Sequence, residues 1–332
     1  MKPLSSRSVL HPSGELLRDV LNCWGLTFDA IHPRIPIQGS PERCLYRVVV
    51  DASGSRHFLE ELDSRTLPRK KLIAARIAHL AARTLPVAAP RAGLDGSFVQ
   101  RVGSRNWQLT PFLEGIEPEA GSLWRDAWRG EALALFLRDL RQASRDMAVD
   151  EDVFDLRGYV RKIVNDARRL HPNVCAELTP VFSLIERQLE SCASLPVAFC
   201  HGDPHPRNMV WGADRILGAI DWEFCGPKCV LHDMALILGC VGSEDEEALG
   251  GPFITAFLET LRCCGLLDST LEPHLPTWTL ALRAAWLAEW LRREDADMIE
   301  FEVFYMTTLA DRFFGRDKAF WTLRSGAAKF SR

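Results

Sequence analysis

The stretch AFCHGDPHPRNMVWGADRILGAIDWEF, from Ala198 to Phe224, constrains the fold more than any other part of the chain. An apolar run ends in a polar loop, a second apolar run follows, and ILGAIDWEF adds another short strand that ends in acid. Short apolar runs bounded by Gly, Pro, Asp and Asn read as strands joined by tight turns. His201, Asp203, His205, Asn208 and Asp221 gather at loop positions beside these strand ends. Three readings of them are open: a metal site, a phosphoryl-transfer site, or an ordinary polar loop.

Hard divalent cations such as Mg²⁺ take oxygen ligands, which Asn and Asp supply, and they share the ion with substrate phosphates. A separate carboxylate kept off the metal accepts the proton of an attacking hydroxyl or orients it. Asp203, Asn208 five residues later, and Asp221 on the following hairpin arm supply all three parts. Each of them alone reads equally well as a turn former or a cap. The three together, in this order and spacing, are harder to obtain from turn chemistry. A zinc or iron hydrolase built on His201, Asp203 and His205 would leave Asn208 and the carboxylates of DWE without roles.

With 332 residues, 47% of them hydrophobic and 25% charged, the chain has apolar material for two cores. A net charge of −4 speaks against a broad nucleic-acid surface or an anionic-membrane patch. No run has signal-peptide or membrane-spanning character, so a cytoplasmic protein is expected, monomer or homodimer, with neither membrane nor nucleic acid as partner. The ten cysteines lie mostly in apolar runs, where a reduced thiol behaves as a small hydrophobe. Cys225 and Cys229 flank GPK but lack the further ligands that zinc needs.

A helix is expected over 13–30. IPIQGSPERCLYRVVVDASGSRHFLEEL then alternates as two antiparallel strands turning at Asp51–Ser55. Leu72, Ile73, Ile77 and Leu80 recur at helical spacing over 68–83, and Ser97–Arg101 and Trp107–Thr110 read as two further strands. Pro111–Ser122 is turn-rich. Beyond it the pattern is mainly helical, over 123–147, 156–170, 177–192, 231–241, 245–263, 275–294 and 297–313. The expected class is α+β: a small N-terminal antiparallel-sheet lobe over 1–110 and a larger, mainly helical C-terminal lobe over 111–332, hinged at about 108–116.

HGDPHPRN followed by IDWE resembles the motifs of the aminoglycoside phosphotransferase and choline kinase superfamily, protein-kinase-like small-molecule kinases. The resemblance extends over most of the chain. It implies a protein-kinase-like two-lobed fold and transfer of the γ-phosphoryl group of ATP or GTP to a hydroxyl of a small molecule: an amino sugar, amino alcohol, sugar or homoserine-like acid. It places the catalytic base on Asp203 and the Mg²⁺ ligands on Asn208 and Asp221. LHDMA (Leu231–Ala235) is similar to the family's DLA segment, where Asp233 would brace the catalytic loop. His201 reads as a hydrogen-bonding brace of the same loop. The implied nucleotide lobe would put Gly39 and Ser40 at the tip of the phosphate-covering turn and the backbone of Phe112 and Leu113 against adenine. The acceptor would meet His205, Glu223 and the C-terminal helices, where Trp286 and Trp290, one turn apart with Glu289 beside them, offer a box for an ammonium group. This agrees with the chemistry, since phosphoryl transfer is mostly positioning and charge neutralisation.

One position departs from the pattern. A kinase of this class carries a lysine on its third strand to hold the nucleotide phosphates, paired with a glutamate on the next helix. Here RHFLEEL puts Glu60 in that place, and the helix opens with Arg69, Lys70 and Lys71. A lone carboxylate beside a phosphate charge is repelled by about 4 kcal/mol at 4 Å for an effective dielectric of 20. The expectation is therefore a reversed pair, with Lys70 or Lys71 reaching from the helix to Glu60 and to a phosphate. A lost anchor would instead make the chain a nucleotide- or ligand-binding pseudokinase, against which the intact Asp203, Asn208 and Asp221 argue.

Overall fold

A computed structural model of the chain describes residues 12–35, 44–119, 121–147, 153–192, 194–245 and 247–315. In chain order these form α1 (Gly14–Asn22), β1 (Phe28–His32), β2 (Tyr46–Ala52), β3 (Ser55–Leu62), α2 (Leu67–Ala81), β4 (Val99–Val102) and β5 (Arg105–Pro111). There follow α3 (Ala127–Ala143), α4 (Leu156–Leu170), α5 (Pro172–Glu190), β6 (Val197–Cys200), β7 (Met209–Trp211), β8 (Ile216–Ala219) and β9 (Gly226–Cys229). Helices α6 (His232–Glu244), α7 (Pro252–Cys263), α8 (Leu275–Arg293) and α9 (Ala296–Phe314) complete the order. Two compact units result: the chain up to Glu117 together with Arg207–Phe224, and Pro118–Pro206 together with Cys225 onward.

The first unit is built on a five-stranded antiparallel sheet in the order β1-β2-β3-β5-β4. The β2–β3 turn is Ser53–Gly54, both at positive φ (50° and 74°), the two-residue geometry whose twist suits a hairpin. Period-two alternation then divides the faces. Tyr46, Val48, Val50, Leu59, Trp107 and Leu109 pack with Leu17, Val20 and Leu21 from α1 and with Trp24 just after it. The opposite face receives the residues between them, among them Arg47, Glu60 and Gln108, which the register sets side by side on β2, β3 and β5. The helix expected to reach residue 30 stops at Asn22. Gly25 turns the chain at φ +66°, and Phe28–His32 leaves as the edge strand β1. The β7–β8 hairpin belongs to this unit. Ile116 N–H donates to Trp211 C=O (2.7 Å), and Ala219 exchanges backbone hydrogen bonds with the segment at Pro86–Ala88 (2.9 and 3.2 Å).

The second unit is mainly helical, with β6 and β9 as its short antiparallel pair. The helix expected over 245–263 begins only at Pro252, after Gly250–Gly251. Helix α6 is buried on every side from His232 to Gly242, as its continuous apolar composition requires. It packs on α8, and α8 on α9. Between the last two lies an ion pair, Arg283 with Glu302, their side chains 5% and 0% exposed. Arg283 Nε donates to Glu302 Oε1 at 2.7 Å, and the guanidinium lies over Trp286 and Tyr305 at 5.5 and 5.0 Å from the ring centroids. Among the described residues no helix is long and apolar enough to cross a membrane.

Removing one member of a buried pair leaves a desolvated charge behind, whereas replacing both need not. Glu302→Ala is expected to lower folding stability by about 3–5 kcal/mol. The joint replacement Arg283→Met with Glu302→Leu is expected to cost far less. Urea unfolding midpoints of the two variants check both expectations.

Candidate active site

The functional residues fall into two groups, one inside each unit. In the second unit, β6 ends at Cys200 and opens into His201–Gly202–Asp203. Gly202 takes φ +87°, a turn that a side chain would strain. Pro204 and Pro206 hold the residues before them, Asp203 and His205, away from helical backbone, so the loop stays open. Asp233, at the start of α6, fixes it from beneath. Its Oδ2 accepts His201 N–H at 2.8 Å and its Oδ1 accepts Gly202 N–H at 2.9 Å. His201 is fully buried, and its Nδ1 accepts Asp203 N–H at 3.2 Å, so this imidazole nitrogen serves the loop. His232 Nε2 lies 3.3 Å from Gly202 C=O, its ring held edge-on by Phe154 and Trp278. Burial pushes His232 down to about 3, which keeps the imidazole neutral at working pH. Asp203 and His205 are half-buried.

In the first unit, the β7–β8 hairpin positions the other oxygens. Met209 pairs with Ala219, and Ile220 N–H donates to Asn208 C=O at 2.9 Å, so Asn208 and the residue before Asp221 face each other at the open end. Asn208 closes a short 3₁₀ turn that begins at Pro206. Asp221 sits at φ +60°, where a non-glycine residue is strained by about 1 kcal/mol or more. Trp222, buried just after it, locks the turn by donating from Nε1 to Ala219 C=O at 3.1 Å.

The departure at Glu60 has a partner not expected from the sequence. Lys70, buried at the start of α2, forms its ion pair with the Glu223 carboxylate of the DWE segment. Arg69, one residue earlier, donates to the Glu223 carbonyl at 3.2 Å. Glu60 acts on Lys70 electrostatically rather than by an ion pair at contact distance. Burial raises the Glu60 carboxyl above its usual range, with Lys70 the strongest opposing pull and Arg47 a weaker one. Burial draws Lys70 down, but Glu60 and Glu223 outweigh it and the ammonium ends above its ordinary value. Lys71 is exposed. Glu223 thus stands in the charge cluster of the first unit. The signal for it was the second carboxylate of IDWE. The signal for Arg47 was hairpin arithmetic, since a turn at Ser53–Gly54 pairs 47 with 60.

The remaining expected residues are distributed as follows. Gly39 and Ser40 lie outside the described residues. Phe112 and Leu113 are half-buried, and Phe112 N–H already donates to Arg56 C=O at 3.1 Å, which removes that donor from an adenine contact. Trp286 and Trp290 are neighbours, 6.1 Å between centroids. Arg283 lies over the first ring and Arg293 over the second, and Arg292 (2.8 Å) and Arg293 (2.6 Å) hold Glu289, whose carboxyl falls to about 2 through its bond to Arg292. The ammonium box expected at Trp286, Glu289 and Trp290 is therefore supplied with cations by the chain itself. No group of three or more His, Cys, Asp or Glu residues forms a metal site among the described residues.

Comparison with known proteins gives the family and the fold. The sequence profile described as "Phosphotransferase enzyme family" matches residues 46–267. A homoserine kinase of Rhodospirillum rubrum is 29% identical over 175 residues, 52% of this chain and 53% of the relative, so the chain spans about half the length of that protein. A homoserine kinase of Granulibacter bethesdensis is 26% identical over 230 residues, 67% of this chain and 70% of the relative. Among solved structures, a microcompartment-associated aminopropanol kinase superposes with a TM-score of 0.68 at 18% identity, covering 92% of this chain and 98% of the other. An amicoumacin kinase, solved with AMP-PNP and Ca²⁺, gives 0.65 at 15% identity, covering 91% and 94%. At these identities the structures establish the protein-kinase-like fold.

The loop brace carries a pH signature. Burial raises the Asp233 carboxyl to about 6, against the pull of the Gly202 and His201 N–H groups and of Lys228 and Arg141. A carboxyl raised above its unfolded value, about 3.9, contributes stability in full below that value and loses it as pH climbs through 6. Asp233→Asn carries no charge at any pH and leaves one loop N–H without an acceptor. Wild type is expected to exceed this variant in stability by more at pH 4.5 than at pH 7.5, by on the order of 2 kcal/mol. Thermal unfolding of both proteins across that interval measures the difference.

Proposed function

We propose, on the premise that the chain belongs to the phosphotransferase enzyme family, that it moves the γ-phosphoryl group of ATP or GTP to a hydroxyl of a small amino alcohol. One observation carries the reading. Within the run from Ala198 to Phe224, a loop braced at both backbone N–H groups by Asp233 presents Asp203, and a hairpin end sets Asn208 beside the Asp221 turn. The acceptor class is supported by relatives named for homoserine, a hydroxy amino acid, and a structural neighbour named for aminopropanol, which share a hydroxyl and an amino group.

In this reading Asp203 accepts the proton of the acceptor hydroxyl as its oxygen attacks the γ-phosphorus, and the nucleoside diphosphate departs as the bridging P–O bond breaks. The brace fixes the backbone from which Asp203 projects, so little ordering remains to be done when substrates arrive. Asn208 and Asp221 fit Mg²⁺: both offer oxygen donors, and two protein oxygens with several left to phosphate and water is the usual arrangement for that ion. When bound, Mg²⁺ would neutralise phosphate charge there. His201 is fully buried and its Nδ1 accepts Asp203 N–H, which supports its reading as a brace of the loop. A second reading, a pseudokinase, is supported by Glu60 in the usual lysine position, and turnover separates the two.

A screen of L-homoserine, aminopropanol, ethanolamine, choline and an aminoglycoside with Mg·ATP and Mg·GTP is expected to yield turnover on an amino alcohol. Nucleotide binding without turnover on any acceptor would favour the pseudokinase. Asp203→Asn is expected to keep nucleotide affinity and lower turnover by about 10²-fold or more. Asp221→Ala is expected to abolish the tightening of nucleotide binding by Mg²⁺, seen by titrating the metal at fixed nucleotide; an undiminished Mg²⁺ effect would place the ion elsewhere.

A further inference from the structure

The geometry points to Lys70 as the residue that holds the nucleotide's phosphates, delivered from helix α2 instead of strand β3 and positioned between two carboxylates, Glu60 and Glu223. The inference rests on the phosphotransferase reading above and names the phosphate-recognising group of that same site. Lys70 is buried at the start of α2 and ion-paired to Glu223, two residues after the proposed metal ligand Asp221. Arg69 grips the backbone carbonyl of the same residue, so two successive side chains tie the first turn of α2 to the DWE segment. On its other side Lys70 feels Glu60, which projects from β3 at the position where the family's lysine belongs and lies opposite Arg47 on β2. Arg47 and Lys70 thus both attract Glu60, and Glu60 and Glu223 both attract Lys70.

This arrangement does what a strand lysine does, by different residues. A triphosphate approaching the β3 face would meet Glu60 as a repulsive charge unless a cation stood beside it. Lys70 is that cation, and its long stem and three donors let it keep one carboxylate while turning another N–H to a phosphate oxygen. Glu60 is a positioning residue: with Glu223 it keeps the ammonium charged and aimed, as a glutamate does for lysine in the opposite arrangement. The scheme reverses the charges of the family's strand and helix positions, and it is testable because triphosphate and adenosine binding respond differently to loss of the ammonium.

The test uses the full chain and reads binding, not turnover. Dissociation constants for Mg·ATP, Mg·GTP and adenosine are measured by calorimetry for wild type, Lys70→Met, Lys70→Gln, Lys70→Arg and Glu60→Lys. Loss of a charge-assisted contact to phosphate is expected to weaken triphosphate binding by about 10- to 100-fold in Lys70→Met and to leave adenosine unchanged. A merely structural role would weaken both. Lys70→Arg should retain most of the affinity. Glu60→Lys should weaken triphosphate binding, because it sets a second ammonium against Lys70. Melting temperatures show that each protein is folded, and Lys70→Gln decides the matter if Lys70→Met is not. Wild-type triphosphate affinity in folded Lys70→Met or folded Lys70→Gln overturns the inference while the phosphotransferase reading stands. A wild-type chain that binds neither nucleotide overturns both.

Discussion

The carboxylate of Asp233 is the interaction on which the catalytic loop depends. A buried ionisable group is costly unless its oxygens are satisfied, and here each oxygen accepts a different backbone N–H of the loop. That sets a condition on everything around it. Helix α6 must be apolar enough to bury its first turn, which explains why His232 to Gly242 is buried without interruption. Arg141, on α3, must bring positive charge near without intruding; its guanidinium bonds Val230 C=O at 3.3 Å, just before α6. The loop then needs glycine at 202 and prolines at 204 and 206 to leave the brace in the right direction.

In the first unit the ordering principle is charge at a helix start. Cations near a helix N-terminus oppose the macrodipole, and the first turn of α2 contains no acid. Arg69, Lys70 and Lys71 would be unfavourable there on an isolated helix. Glu223 answers with both its carbonyl and its carboxylate, and Glu60 adds a further negative charge from β3. The direction of α2 and the conformation of the segment after Asp221 are in this way parts of one electrostatic arrangement. A strained φ at Asp221 is tolerated because Trp222 and Glu223 are each tied down immediately afterwards.

Much of this was legible in the sequence, for identifiable reasons. The hairpin at Asp51–Ser55 has strong turn chemistry and clean alternation, so the turn and the strand ends beside it emerge within a residue or two, although β2 begins at Tyr46 and the expected run began at Ile35. HGD, Asn208 and DWE are local in sequence, and the structure sets them on the loop and hairpin that their polar–apolar rhythm describes. Three things were not legible. The edge strand β1 is short and half-buried, with no alternation strong enough to oppose a helical continuation from α1. The residues from Arg207 to Phe224 group with the N-terminal part of the chain, a long-range association that no local pattern encodes. The partner of Lys70 lies 153 positions away, and charge alone does not choose between Glu60 and Glu223.

The end of α8 shows the same limit from the other side. Two tryptophans one turn apart with a glutamate between them read from the sequence as packing more often than as a cation-binding box. On the helix, Glu289 has Arg292 three residues on and Arg293 four residues on, both on its own face. Those arginines occupy the last turn, where positive charge complements the carbonyl end of the helix before Glu294 turns into the left-handed region. Arg293 lies over Trp290, and Arg283, held by Glu302, lies over Trp286. Each attractive feature of the supposed box is therefore engaged in ending α8 and seating it against α9. The same residue types at the same spacing serve a helix terminus here because tethered arginines of the same helix lie over both rings.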